Sequence, residues 1–304
     1  MGVTKFGKIL RTIRLDHDEI LLQMADKLNV SPSYLSSIEH GKRNVPEKWV
    51  DKLKDTYNLS EETIRELCDA ALEQKSSVKF RISHNPNSKN EILFALARSL
   101  DELDDDKINQ IKAILNNEDG KQPANRSLKR DSTSRTNYVQ VAPLSRVDIR
   151  EFTLKIKKVI SIQDQLCFPV LHFFENIMPI LFEDFDYEYV DQEEMEGAEG
   201  LMIPEISTIR IPINTVKDAA RGIGRARFTI AHEIGHFFLH RNQSLVLCRS
   251  GDHIPPYRNS EWQANTFAGE LLVPFHLTKE MNVEEVMRKC KVSRQAAECQ
   301  LNVK

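Results

Sequence analysis

The sequence predicts a mainly helical protein with a small sheet, in which an all-α N-terminal domain precedes an α+β C-terminal domain. Before a polar stretch in the middle of the chain, apolar residues recur at helical spacing and no segment alternates as a strand does. Two later segments, FDYEYV at 185–190 and TIRIPI at 208–213, do alternate and are predicted strands. The polar stretch, residues 116–137, contains only Ala124 and Leu128 as apolar residues other than proline, so it cannot build a core.

Composition limits the classes of function. A chain of 304 residues with 40% apolar residues is long enough for two cores. Its 42 basic and 45 acidic residues give a net charge of −3, so any contact with nucleic acid requires a local basic patch. The five cysteines are odd in number, scattered and never spaced as C-x-x-C, which argues against a disulfide framework or a cysteine zinc site and indicates reduced thiols. Because there is no apolar leader and no run of about 18 apolar residues, we expect a cytoplasmic protein without a membrane partner.

We predict four segments along the chain. They are a first domain at 1–75, a helical extension at 76–115, a flexible linker at 116–140 and a second domain at 141–304. A flexible linker of this length would span roughly 25 Å and let the domains move independently; a long ordered surface loop is the alternative. The extension is predicted to be a helical hairpin that packs on the first domain or on a second copy of it, with Asp104, Asp105 and Asp106 at a helix start.

The first domain has the order helix, tight turn, helix. Amphipathic helices are predicted at 6–15 and 20–28, and the letters NVS then turn the chain into a third helix that begins near Pro32. The exposed face of this third helix is predicted to carry small or polar residues, namely Ser31, Ser33, Ser36 and Ser37, together with Tyr34. Short hydroxyl side chains allow a helix to enter the major groove and to contact bases or phosphates.

Residues 6–58, through MADKLNVSPSYLSSIEHGKR, resemble the Cro/phage-repressor (XRE) helix-turn-helix family. The resemblance implies base contacts by Ser33 and Ser37, phosphate contacts by Ser31 and Tyr34, and contacts with the DNA backbone by Lys42 and Arg43. Leu21 departs from the family pattern, because many members have a glutamine there that anchors the scaffold helix to phosphate. This departure weakens the prediction of individual DNA contacts and leaves the prediction of the fold unchanged.

The charge of this region is modest. Residues 1–58 contain ten basic and eight acidic residues, a net charge of +2. Non-specific affinity for DNA should therefore be low, and specific binding to a double-stranded operator would require a homodimer, formed through the N-terminal half, on paired half-sites. The alternative is a five-helix protein-interaction module without DNA binding.

The second domain contains the sequence FTIAHEIGHFFLH at 228–240, with the pattern H-E-x-x-H. On a helical wheel its apolar residues form one stripe, made of Ile230, Ala231, Ile234, Phe237 and Phe238. His232, Glu233 and His236 project from the opposite side. One helical turn places the two imidazoles side by side, where they can share one metal ion.

A tetrahedral catalytic zinc needs a third protein ligand besides these histidines. His240 lies eight residues from His232, about 12 Å along the helix axis, so one ion cannot bind both with His236 between them. We give His240 an outer or transition-state role, with a plain surface histidine as the alternative. The better ligand is Glu261, which shares a face with Asn265 on the predicted helix in EWQANTFAGELLVP; Glu270 is interpreted as structural.

Residues from about 144 to 301 resemble the ImmA/IrrE metallopeptidase family, through GRARFTIAHEIGHFFLH, EWQANTFAGELLVP and CKVSRQAAECQL in that order. The resemblance implies a gluzincin-like α+β fold, with His232, His236 and Glu261 binding Zn²⁺, or alternatively Mn²⁺, and Glu233 as general base. A second oxyanion donor is usual in such sites. His240, Tyr257 and Arg227 are the candidates, and the sequence does not choose among them.

Two features around the motif helix are left open by the sequence. Gly235 predicts a close neighbour, for which the strand at 208–213 is one candidate. If that strand lies at an edge of the sheet, an extended substrate could pair with it; an internal strand would be merely structural.

Together these features predict a DNA-binding transcription regulator with a zinc-dependent peptidase domain. In the resembled family, peptidase and repressor commonly occur as neighbouring proteins in mobile elements and stress responses. We therefore expect the substrate to be a repressor or antitoxin-like regulator, or the chain itself, cut in the linker or the helical extension. The alternative functions are a metal-sensing regulator without proteolysis, a toxin-antitoxin-like fusion, and a head that binds only protein.

Overall fold

A computed structural model describes residues 2–76, 139–195, 197–241, 246–247 and 255–302. Nearly all of the predicted extension and linker, with the three aspartates at 104–106, lies outside the described residues. The last two residues of the predicted linker form a strand instead. None of the helices described is both long and apolar enough to cross a membrane.

The N-terminal domain, here residues 2–76, consists of helices. They are α1 (Lys5–Asp16), α2 (Leu21–Lys27), α3 (Pro32–Glu39), α4 (Trp49–Tyr57) and α5 (Glu61–Ser76). The side-chain oxygens of Thr4 and Ser31 accept backbone hydrogen bonds at the starts of α1 and α3, which fixes where these helices begin. Asn29 adopts a left-handed conformation in the turn between α2 and α3. Phe6, Leu10 and Leu35 are fully buried between the helices.

The C-terminal domain, here residues 139–302, is mixed. Its elements are β1 (Val139–Gln140), α6 (Arg146–Val159), α7 (170–181), β2 (Asp186–Val190), β3 (Leu201–Ile203), β4 (Thr208–Pro212), α8 (Ile213–Ala220), α9 (Gly224–His240), β5 (Val246–Leu247), α10 (Ser260–Leu272), α11 (Phe275–Thr278), α12 (Val283–Cys290) and α13 (Arg294–Leu301). The molecule is thus mainly helical with a small sheet, as predicted.

The sheet has the strand order β2-β4-β3. β2 runs parallel to β4, with Asp186 opposite Thr208, and β3 runs antiparallel to β4, with Leu201 opposite Arg210. The predicted strand at 208–213 is therefore internal, which excludes the hypothesis that it offers an edge to a substrate. The edges of this sheet belong to β2 and β3.

Helices α9 and α10 pack closely at a glycine. A Cβ atom on Gly235 would lie 3.1 Å from Phe267 Cδ1 and 3.2 Å from the backbone of Ala264, both on α10. The close neighbour predicted for Gly235 is therefore α10 and not the strand at 208–213. The apolar face of α9 is buried, as the wheel predicted: Phe237 contacts Phe185 with ring centroids 4.9 Å apart. This packing directs the opposite face of α9 toward the start of α10.

The N- and C-terminal domains lie in one compact unit and share a polar interface. Arg14 is completely buried there, between Glu39 of α3 and the hydroxyl of Tyr187, to which it donates at 2.9 Å. Burial acts against the charge of Arg14, but the neighbouring carboxylate of Glu39 outweighs it and raises the pKa of the guanidinium. Glu175 of α7 accepts a hydrogen bond from the backbone N–H of Leu21 at 2.6 Å. The independent movement predicted from the linker therefore requires this interface to open.

Candidate metal centre

Three side chains from α9 and α10 converge on one point. His232 and His236 stand one turn apart on α9, and their Nε2 atoms are 2.9 Å apart. Glu261, in the first turn of α10, places Oε2 3.3 Å from Nε2 of His232 and Oε1 3.3 Å from Nε2 of His236. The three donor atoms lie within 4.8 Å of one another. Two imidazole nitrogens and a carboxylate are a donor set suited to a divalent metal ion.

The charges of this cluster suit metal binding. Hydrogen bonds from both rings lower the pKa of Glu261 well below its ordinary value, so the carboxylate is ionised at neutral pH. Burial disfavours the charged form of His232, but its hydrogen bond with Glu261 outweighs burial and raises the pKa of the ring. Positive charge placed between the three side chains is therefore stabilised.

A buried relay fixes which nitrogen of His236 carries a hydrogen. Gln263 donates from Nε2 to the carbonyl oxygens of Ala142 and Tyr257, each at 2.8 Å, so its Oε1 is the atom that faces His240 Nε2, at 2.9 Å. His240 Nε2 therefore carries the hydrogen. Burial lowers the pKa of His240 to about 4, so the ring is neutral at pH 7 and its Nδ1 can only accept.

This relay determines which nitrogen of the candidate ligand His236 faces the metal position. His236 Nδ1 lies 3.1 Å from His240 Nδ1 and donates to it, so Nε2 is the nitrogen of His236 that faces the cluster. His232 Nδ1 lies 3.0 Å from Asn265 Oδ1, which is an acceptor, so Nε2 is likewise the nitrogen of His232 that faces the cluster. Outer hydrogen bonds that set the tautomer and orientation of metal-binding histidines are a general property of metal sites.

Glu233 lies beside the cluster and is nearly buried, with 7% of its surface exposed. The backbone N–H of Met202 on β3 donates to its carboxylate. Burial raises the pKa of Glu233 above its ordinary value, against the opposing attraction of the His232 and His236 rings. A Cβ atom on Gly200 would lie 2.7 Å from Glu233 Cγ, so a glycine is required at that position for the carboxylate to keep its place.

A cleft of about 400 Å³ opens over these groups. One wall is β3 and its flanks, with Gly200, Leu201, Met202 and Pro204; the other contains the convergent side chains and Ser260. The cleft is thus apolar on the side of the sheet edge and polar on the side of α9 and α10.

The other predicted site residues have different surroundings. His240 is not a surface residue: it is 4% exposed and both ring nitrogens are hydrogen-bonded, so its position supports the predicted outer role and disfavours a transition-state donor. Arg227 is buried and donates to the carbonyl oxygens of Lys291 and Phe168, which excludes it as an oxyanion donor in this geometry. Tyr257 is 47% exposed and is not among the described residues that line the cleft.

Glu270 has the structural role predicted for it. Its carboxylate is 2% exposed and accepts two hydrogen bonds from Arg150, at 2.9 and 3.0 Å. Sequence reasoning missed Gln263, Gly200 and Met202. The only signal for Gln263 was a polar residue four positions before Phe267, on the apolar face of this helix, and the other two are brought to Glu233 by strand pairing.

The predicted DNA-contacting residues lie along α3 and the following loop. Ser31 caps the helix by accepting from the N–H of Tyr34 at 3.2 Å, and Ser37 donates to the carbonyl oxygen of Ser33 at 2.7 Å. The guanidinium of Arg43 lies over the ring of Tyr34, 5.2 Å from its centroid. Ser33 and Lys42 contact Asp191 and Glu188 of the C-terminal domain.

Ser36 corrects a prediction, because it is not on an exposed face. It is 1% exposed and its Oγ accepts a hydrogen bond from the backbone N–H of Tyr189 at 3.0 Å. The sequence placed it among the polar residues of α3 and had no information on the strand that covers it.

Residues 220–302 match the model of a known protein family, the IrrE N-terminal-like domain of peptidase family M78. The matched range contains α9 and α10, and with them the three convergent side chains and Glu233. The match supports the ImmA/IrrE part of the resemblance and a metallopeptidase-type enzyme. It does not extend to the N-terminal domain, for which the helix-turn-helix resemblance stays a prediction. No curated protein and no solved structure matches the chain.

Proposed function

We propose that this chain is a zinc-dependent peptidase joined to a DNA-binding regulatory domain, and that it cleaves a repressor-type protein or itself to control transcription. The observation that supports the proposal most is the convergence of His232, His236 and Glu261 beside the buried carboxylate of Glu233, in a cleft bordered by a strand edge. Metal binding alone does not require Glu233, whereas hydrolysis does.

The donor set fits zinc. Two imidazoles and one carboxylate are a usual set for a catalytic zinc site, and a softer, nitrogen-rich set favours zinc over manganese. His232, His236 and Glu261 would hold the ion, and the relay through His240 and Gln263 would orient His236. A bound zinc ion would supply Lewis-acid chemistry, which lowers the pKa of water and polarises a peptide carbonyl.

Glu233 is the residue that moves the proton. Its raised pKa brings it closer to the range in which a carboxylate can accept a proton from water and later return it to the leaving amine. The N–H of Met202 donates a hydrogen bond to the carboxylate and limits its rotation, and Gly200 leaves room for the carboxylate because it has no side chain. Of the three candidates for an oxyanion donor that the sequence offered, Tyr257 remains, and it would have to approach the cleft when substrate binds.

The substrate is proposed to bind in extended form along β3. This strand pairs with β4 on one side, and Leu201 and Met202 line the cleft on the other. A substrate strand that adds to a sheet edge gains affinity from backbone hydrogen bonds and specificity from alternate side chains. Leu201, Met202 and Pro204 would contact an apolar side chain of the substrate.

The test compares the zinc-loaded full chain with Glu233→Gln and, as a matched control, Glu205→Gln, which changes an exposed glutamate outside the cleft. Newly formed protein N-termini, self-cleavage included, would be compared by mass spectrometry in cells that express each variant. We expect a set of N-termini that is present with the wild type and Glu205→Gln and absent with Glu233→Gln, while all three proteins retain one zinc ion. Identical N-termini in all three would refute the peptidase.

A second candidate is a metal-sensing regulator without proteolysis. The polar interface between the two domains favours it, because metal occupancy and the position of α3 can then be coupled. Occupancy of DNA by the protein in cells separates the two candidates. If the protein is a sensor, the metal-dependent change in occupancy is lost in His236→Ala and kept in Glu233→Gln. If it is a peptidase, the change is lost in both variants.

A further inference from the structure

The surface of α3 that resembles a DNA-reading surface is in contact with strand β2 of the C-terminal domain. Ser33 Oγ donates to Asp191 Oδ1 at 2.8 Å, and Lys42 forms an ion pair with Glu188. Between them, Ser36 Oγ accepts from the backbone N–H of Tyr189 at 3.0 Å. Ser33 and Lys42 are among the six residues for which the sequence predicts DNA contacts.

The segment that meets α3 is acidic. Within 186–191 the chain has carboxylates at Asp186, Glu188 and Asp191. Asp186 and Glu188 are two residues apart on a strand and therefore point to the same side. Asp186 pairs with Arg11, whose Nη2 is 2.8 Å from Oδ1, and lies 3.2 Å from Nε2 of His40 at the end of α3. The basic and hydroxyl groups of the N-terminal domain thus meet a row of negative charges, as they would on a row of phosphates.

The contact also covers an edge of the sheet. β2 pairs with β4 on one side. On the other side, Tyr189 donates its N–H to Ser36, and the carbonyl oxygen of Tyr187 accepts from Arg11 Nη2 at 3.1 Å. Side chains of α1 and α3 therefore satisfy backbone groups that an edge strand leaves without partners. A duplex cannot reach the same side of α3 while β2 occupies it.

We propose that residues 186–191 are an intramolecular competitor of DNA: they occupy the DNA-contacting surface of α3, and the N-terminal domain binds duplex DNA only after it separates from β2. This inference rests on the DNA-binding part of the proposed function. It identifies the partner of the freed surface as duplex DNA, because the same hydroxyl and ammonium groups that bind these carboxylates bind phosphates.

The experiment weakens the contact from the side of the competitor, so that the residues predicted to touch DNA stay unchanged. Glu188→Gln with Asp191→Asn removes the two carboxylates that bind Ser33 of α3 and Lys42 of the loop that follows it. Glu205→Gln with Glu280→Gln is the matched control, since it removes two exposed carboxylates of the same domain. The probe is a random-sequence duplex of about 30 base pairs at about 50 mM salt, where phosphate contacts are strong, and binding is followed by fluorescence anisotropy.

We expect the Glu188/Asp191 variant to bind the duplex about tenfold more tightly than both the wild type and the control, because the apparent dissociation constant is inversely proportional to the fraction of molecules in which α3 is freed. Equal affinity of all three proteins would overturn the competition and leave DNA binding in place. If none of them binds the duplex, the DNA-binding part of the proposed function fails, and this inference fails with it.

A second measurement follows the contact itself. The amide of Tyr189 should exchange slowly with deuterium in the free wild-type chain, because it donates to Ser36 in a buried position. Saturating duplex should speed its exchange at least several-fold if DNA and β2 compete for α3. DNA-bound protein in which this amide stays protected would show that both partners bind at once and would overturn the proposal.

Discussion

Asp186 is a carboxylate whose removal should weaken the interface between the two domains. It is 6% exposed, and it lies between Arg11, at 2.8 Å, and His40, at 3.2 Å. Burial alone would raise the pKa of Asp186, but the hydrogen bond from His40 and the charge of Arg11 outweigh it and lower the pKa from 3.8 to about 2. Each pKa unit corresponds to about 1.4 kcal/mol, so ionised Asp186 stabilises the folded state by about 2 kcal/mol.

The sign of the pH dependence follows from the lowered pKa. The stabilisation is fully present above the unfolded-state value of about 4 and is lost as pH falls toward the folded-state value of about 2. Asp186→Asn should therefore lower the free energy of unfolding by about 2 kcal/mol at pH 7, and the difference from the wild type should shrink steadily below about pH 4.

Urea unfolding followed by circular dichroism, at pH values from 7 down to 3, measures both effects. The control is Asp218→Asn, whose carboxylate forms an exposed pair with Arg221 and should contribute less than about 1 kcal/mol. An Asp186→Asn variant as stable as the control variant at pH 7 would refute the reasoning. So would a destabilisation of the same size at pH 6 and pH 3, because the charge of Asp186 would then not be its source.

Three further predictions concern the candidate metal centre. Gln263→Leu removes the acceptor that fixes the His240 tautomer and should weaken zinc binding about 10- to 100-fold. A competition titration with a chromophoric chelator measures the zinc affinity, and an unchanged affinity would contradict the relay. Gly200→Ala should displace Glu233 and reduce cleavage more than tenfold while zinc binding persists. The control is Gly2→Ala, whose added Cβ meets no neighbour within 4 Å. Full activity of the Gly200→Ala variant would show that this contact does not limit cleavage. Zinc in large excess over its dissociation constant should stabilise the wild type by about 3 kcal/mol, visible as a higher melting temperature, and His236→Ala should abolish the increase; an equal increase in both would place the ion elsewhere.

The sequence predicted those features that depend on spacing along one element. The His232 and His236 pair follows from one helical turn, and the choice of Glu261 follows from its place on a second amphipathic helix; the structure brings these three side chains together. The strands at 185–190 and 208–213 were predicted within one residue of their observed bounds.

Features that depend on which elements meet could not be predicted in this way. The sequence shows that Ser36 is polar and lies among polar residues, but not that the N–H of Tyr189 reaches it from a strand more than 150 residues away. The same limit applies to the internal position of β4 and to the neighbour of Gly235, since both are set by pairing and packing between distant segments. Gln263 was missed because its partners, Ala142 and His240, belong to two other parts of the chain.

The hydrogen bond from Gln263 to Ala142 gives the centre a mechanical connection. Ala142 lies three residues after Val139, where the described part of the C-terminal domain begins and where the preceding segment joins it. A shift of the Ala142 carbonyl acts on the amide of Gln263, then on the ring of His240, and then on His236, whose nitrogen belongs to the donor set. A movement of the backbone at Ala142 would thus reach the metal donors through three successive hydrogen bonds.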